Sequence, residues 1–165
     1  MSFRTSSLAA FSAFLLIANG VAAPAARAIV ADSTASIDTD DHGLAMQGYD
    51  PVAYFTDGEP RKGKPDFKIE RDGATYYFTD ADHLQKFKAN PAAYLPQYGG
   101  FCAMGTALSK KFEGDPNVWK IVDQKLYLNV SPDVGVRWSK DIPGNIGRAN
   151  ENWPDIKSKT PKELE

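Results

Sequence analysis

The sequence predicts a small single domain of the α+β class, with two β-hairpins and several short helices. Three observations carry that expectation. Asp72-Gly73 separates two β-type runs, residues 67–70 and 74–78, and Asp-Gly between such runs is the strongest short hairpin signal. A second pair of runs, residues 119–122 and 126–130, flanks Asp123-Gln124-Lys125. Around these pairs lie short segments opened by Thr, Asn or Ser and closed by Pro, which is helix punctuation. The 165 residues are 42% hydrophobic and 24% charged, a length for one domain and a composition that excludes collagen, coiled coil and a mainly disordered chain.

Taken in order, the chain begins with a basic residue, Arg4, then an apolar run over 8–18 and an A-x-A signal at Ala26-Arg27-Ala28. That is the layout of a secretory signal peptide over 1–28, with cleavage after Ala28 favoured over Ala23. The apolar run is about 11 residues, too short for a membrane anchor. The mature chain is therefore expected in the periplasm or secreted, with no membrane span. Residues 29–42 are polar and acidic and form the expected flexible leader. The folded domain is expected over 43–156, followed by a polar tail over 157–165.

Within the domain, GYDPVAYF at 48–55 is apolar around a single Asp-Pro, and 56–65 is a loop rich in Gly, Pro and charge. After the first hairpin Thr79 stands where a helix N-cap belongs, with Asp80 and Asp82 in the first turn. That helix should run over 80–89, with Leu84 and Phe87 as its apolar stripe, and Asn90-Pro91 ends it. Asn90 caps a second short helix over 91–95. PQYGG is a turn into 101–104, a further short helix, and 110–117 is loop. Ser131-Pro132 opens a helix to about residue 139, and a last one covers 141–152 before Trp153-Pro154.

The charges nearly cancel, 19 basic against 21 acidic, so no broad electrostatic grip on nucleic acid is expected. The single cysteine, Cys102, excludes an intrachain disulfide and an all-cysteine zinc site. It follows Gly99-Gly100-Phe101, a layout suited to a positioned side chain. In an oxidising compartment such a thiol is buried, metal-bound or part of a dimer. Met104 lies two residues on, as core filler or as a thioether ligand. His83 flanks the Leu84 and Phe87 stripe, either as a partly buried histidine bonded to its own chain or as a ligand. Thiolate, thioether and imidazole together suit Cu(I), because soft ligands select soft metals. His83, Cys102 and Met104 are thus the candidate metal set, with a copper ion as the cofactor.

Other residues receive structural readings. Asp50 precedes Pro51 and should bond backbone amides in a turn. His42 borders the leader as a solvated side chain, and the aromatics are mostly packing. No G-x-S-x-G, H-E-x-x-H, P-loop or CxxC occurs, so no enzyme is expected. A nucleophilic dyad of Cys102 and His83 is the remaining catalytic option.

Asp50-Pro51-Val52, Tyr76-Tyr77-Phe78, the spaced Phe87 and Asn90-Pro91-Ala92-Ala93-Tyr94-Leu95 together resemble the YHS domain family. The string from GYDPVAYF to GGFCA, the W-x-I-V-D run with LYLN, and the closing ANENWP resemble its exported bacterial branch. The resemblance covers 43–156. It implies kinship with TRASH-type metal-binding modules, which also occur appended to copper-transporting ATPases. The ligand cysteines of those relatives fall on Ala53, Thr79 and His83, so this chain departs at all three and keeps a soft ligand only at His83. The expected function is an exported, non-catalytic small binding domain that handles a transition metal, copper first. The alternative is a metal-free interaction or structural module with a buried cysteine and a protein partner; a thiol enzyme is third.

Overall fold

The computed structural model describes residues 35–165. The expected signal peptide, both cleavage sites and the first part of the leader lie outside the described residues. The fold is α+β, built from two antiparallel two-stranded sheets with short helices packed on each.

The first hairpin pairs β1 (Lys64–Arg71) with β2 (Ala74–Phe78), Arg71 standing opposite Ala74 and Ile69 opposite Tyr76. Asp72 and Gly73 make the two-residue turn, with φ of 52° and 80°. Both signs match the primed turn whose twist suits a hairpin. Alternation along β2 buries Ala74, Tyr76 and Phe78 and turns Tyr77 the other way.

The second hairpin pairs β3 (Asp115–Val122) with β4 (Lys125–Asn129). Its turn is one residue shorter than expected: Lys125 pairs with Val122, and Asp123 and Gln124 take φ of 48° and 58°. β3 also starts earlier, inside the expected loop over 110–117. A register shift between Asp115 and Trp119 accommodates Pro116, which has no N–H to give the ladder.

Before the first hairpin lies α1 (Ala53–Thr56); after it lies α2 (Ala81–Ala89). The cap of α2 is Asp80 rather than Thr79: its Oδ1 accepts the His83 N–H at 2.9 Å. Thr79 is displaced from that role because its N–H and hydroxyl both turn to Asp50, at 2.8 and 3.0 Å. Single turns at Pro91–Ala93 and Gln97–Gly100 lead to α3 (Ala103–Ala107). Ser131 caps α4 (Pro132–Trp138), accepting from the Val134 N–H.

The last helix, α5 (Ile142–Ile156), passes through Trp153-Pro154, where the sequence predicts a stop. Proline there removes one intrahelical bond, yet packing holds the last turn. Trp153 lies 5.9 Å from the Tyr98 ring and 6.1 Å from Phe101, and Ile156 is buried.

The leader also differs from expectation over its described part. The Asp38 N–H donates to Gly99 O at 2.9 Å, and Asp38 Oδ2 accepts from the Gly114 N–H at 2.9 Å. Buried Lys111 donates to Ala35 O at 2.7 Å. Gly99, at φ 64°, permits this approach, since a Cβ there would stand 1.9 Å from Ser36 O. Residues 35–38 are thus part of the folded body.

Apolar packing falls into two halves joined by a third cluster. The first half places Phe78, Tyr76 and Phe87 under α2 with Val52 and Ala45. The second gathers Tyr98, Tyr127, Trp138 and Ala149 among α3, α4, α5 and β4. Between them Tyr54, Met46, Leu126 and Leu128 pack together. There Tyr54 meets Trp119 edge-on at 5.2 Å and donates its hydroxyl to Pro116 O at 2.9 Å.

Candidate functional site

The Asp-Pro turn and the start of α2 bring His83 against Asp50. Asp50 is fully buried and surrounded by donors: Val52 N–H reaches Oδ1 at 2.8 Å, while Thr79 and His83 Nδ1 converge on Oδ2, the latter at 2.7 Å. With Nδ1–H given to Asp50, Nε2 is left as an acceptor. The Thr56 hydroxyl lies 3.1 Å from it. Both ring nitrogens therefore have partners within the chain, and Asp50 holds the turn-binding role that its position before Pro51 predicts.

An Asp-His-Thr series is also the layout of a nucleophilic triad. Here Thr56 Oγ1 stands 2.9 Å from the Asp57 carboxylate, which would repel an oxyanion formed on that hydroxyl. The series is a structural lock between α1, the Asp-Pro turn and α2.

Asp80 and Asp82 lie close enough to His83 for the three to resemble a cation site. Each carboxylate already has an assignment. Asp80 caps α2, and this hydrogen bond to the His83 N–H, first among the causes, holds its carboxyl below the ordinary range. Asp82 pairs with Lys86 at 2.7 Å one turn on.

Cys102 belongs to the other half. It is fully buried at the N-cap of α3, its Sγ accepting the Gly105 N–H at 3.4 Å and lying 3.6 Å from Asn129 Oδ1. Burial pushes the thiol pKa up, against the smaller opposing pull of backbone N–H groups from Gly105, Val130 and Met104. Met104 packs against the second cluster and donates its backbone N–H to Asn129 Oδ1 at 3.1 Å. The structure thus brings Cys102 and Met104 together around Asn129 but gives His83 an entirely different set of partners. Among the described residues no hydrogen bond joins His83 to Cys102 or to Met104. His42 is exposed, its N–H on Asp40 Oδ1 at 3.0 Å.

Asn129 also lines a groove of about 420 Å³ between β3 and α4. Its walls include Val118, Lys120, Pro132, Val136 and Trp138. Gly135 allows α4 to lie close to β3, since a Cβ there would approach Val118 Cγ1 to 2.9 Å. Trp138 is 1% exposed, and its indole N–H is the buried side-chain group that has no hydrogen-bond partner among the described residues. The sequence reading treats Trp138 as packing and passes over Lys120 and Asn129. One signal was available: Asn129 is a polar residue closing the apolar run LYLN, at a strand end that is buried.

No helix among the described residues is long and apolar enough to cross a membrane. No family model, curated protein or solved structure matches the chain.

Proposed function

We propose that the chain is an exported, non-catalytic YHS-type binding domain that works as a metal-free interaction module, with Cys102 as a structural residue. One observation carries this reading: His83 and Cys102, the imidazole and the thiol of the candidate metal set, are each engaged by different partners of their own chain. A Cu(I) centre needs a thiolate and an imidazole nitrogen free to face one ion. The Cys102 sulfur instead caps α3 in a site whose burial favours the neutral thiol. The His83 Nδ1 is bound to Asp50 and its Nε2 to Thr56. The Cys102 sulfur has Gly105 and Asn129 as its hydrogen-bond partners and no histidine among them, which removes the main support for a thiol enzyme.

The test is Cu(I) competition against a chromophoric chelator, under reducing conditions, with wild type, His83→Ala, Cys102→Ala and Met104→Leu. Wild type is expected to leave the chelator's copper in place at protein excess. Stoichiometric uptake that disappears in both His83→Ala and Cys102→Ala would reinstate copper binding through His83, Cys102 and Met104.

A further inference from the structure

We infer that the groove between β3 and α4 is a binding site for a small apolar carboxylate. The inference extends the non-catalytic reading by giving the domain a ligand class. It begins with hydrogen-bond accounting at the groove. Trp138 Nε1–H is buried with no acceptor. Asn129, 2% exposed, uses Oδ1 for the Met104 N–H and the Cys102 sulfur, and its Nδ2 donates to nothing among the described residues. Buried donors are rarely left so, because a group without a partner in the interior has given up its hydration with nothing in return. Trp138 Nε1 is sealed off, so the Asn129 amide, on a residue that is 2% exposed and lines the groove, is the donor to which an acceptor brought from outside would answer.

Charge narrows the class. Lys120 lines the same groove and makes no ion pair among the described residues, and no lining residue is acidic. An amide N–H beside an ammonium favours an anionic oxygen over a neutral one. The remaining walls are apolar: Val118, Pro132 and Val136, the last 64% exposed although it is valine. A carboxylate at Asn129 and Lys120 with a short hydrocarbon body along these three would complete both halves of the groove. The volume lies in the range of small-molecule sites.

Gly135 sets how closely α4 approaches β3 at the groove, since a Cβ there would come within 2.9 Å of Val118 Cγ1. A side chain at 135 would wedge against Val118 and alter the groove without touching either donor.

The experiment uses the whole chain, isotope-labelled, with hexanoate as probe and hexanol as its neutral counterpart, followed by two-dimensional N–H spectra. Hexanoate is expected to shift the Trp138 indole and Asn129 side-chain amide signals saturably. Hexanol should bind at least about tenfold more weakly, and Lys120→Glu should weaken hexanoate by about tenfold or more, which corresponds to one charge-assisted contact. Equal binding of hexanol, unsaturable shifts, or hexanoate binding unaffected by Lys120→Glu would overturn the site. The copper competition is independent of this groove, so loss of one conclusion leaves the other standing.

Discussion

The Asp50 carboxylate and the His83 imidazole meet at 2.7 Å in a position where Asp50 has no solvent exposure at all. The contact joins the Asp-Pro turn to α2 and aligns the first-half core beneath them, with Phe87 and Phe78 at 5.0 Å. Asp50→Ala leaves the Val52 and Thr79 N–H groups without their acceptor. Removing one member of such a buried polar pair costs about 3 kcal/mol or more. Denaturant unfolding should show that loss, whereas Thr56→Val, which removes only the outer hydroxyl of the series, should cost about 1 kcal/mol.

Cys102 should resist alkylation in the native state. It is fully buried and its thiol titrates above its ordinary value, so at neutral pH both access and thiolate are lacking. Iodoacetamide labelling followed by mass measurement should be slow in buffer and complete in denaturant. Rapid labelling of the folded chain would contradict its place as the cap of α3.

Gly73→Val should destabilise the domain by about 1 kcal/mol or more, because a β-branched residue resists the φ of 80° that the hairpin turn requires. The added Cβ would meet nothing within contact distance, so the cost is conformational. An unchanged unfolding midpoint would contradict it.

Gly99→Ala acts differently, since its Cβ would collide with the Ser36 carbonyl. It should release residues 35–38 from the body, seen as new early proteolytic cuts and faster amide exchange at Asp38, with the rest of the domain protected.

Lys111 supplies a pH test. Burial holds its ammonium below the ordinary lysine pKa of 10.5, against a smaller opposing pull from Asp38. The folded chain thus gives up this proton at lower pH than the unfolded chain. The unfolded state binds more protons between the two values, and the contribution of Lys111 to stability rises with pH across that window. The stability of wild type relative to Lys111→Met should therefore increase as pH approaches 10.5, and a flat or falling difference would contradict the shift.

Both hairpins were legible because their signals are local: a turn pair and alternation on either side. The helix over 81–89 was legible for the same reason, but its cap was not. Thr79 and Asp80 are both good caps by type, and the choice between them was made by Asp50, distant in sequence. Pro154 stops a helix by local rule and fails to do so here because Trp153 and Ile156 are packed from outside the helix. The candidate site shows the same division. His83, Cys102 and Met104 were chosen for their chemistry, and nothing local says that His83 is held by Asp50 and Thr56 while Cys102 caps α3 beside Asn129. Lys120, Asn129 and Trp138 carry no motif, and only folding puts them around one groove.

Lys111 donates to carbonyls of Ala35, Lys157 and Lys159 while lying 4.6 Å over the Phe101 ring. It therefore fastens the beginning of the described chain to the strand of backbone that follows α5. A chain with a single cysteine cannot close so long a loop covalently, and one ammonium shared among three carbonyls performs that closure without redox chemistry. Unlike a disulfide, this tie exists only in the folded state, so it does not restrict the unfolded chain. Its effect is to make the two ends interdependent: when the segment after α5 peels away, residues near Ala35 lose their anchor in the same event, and fraying at either end is felt at the other.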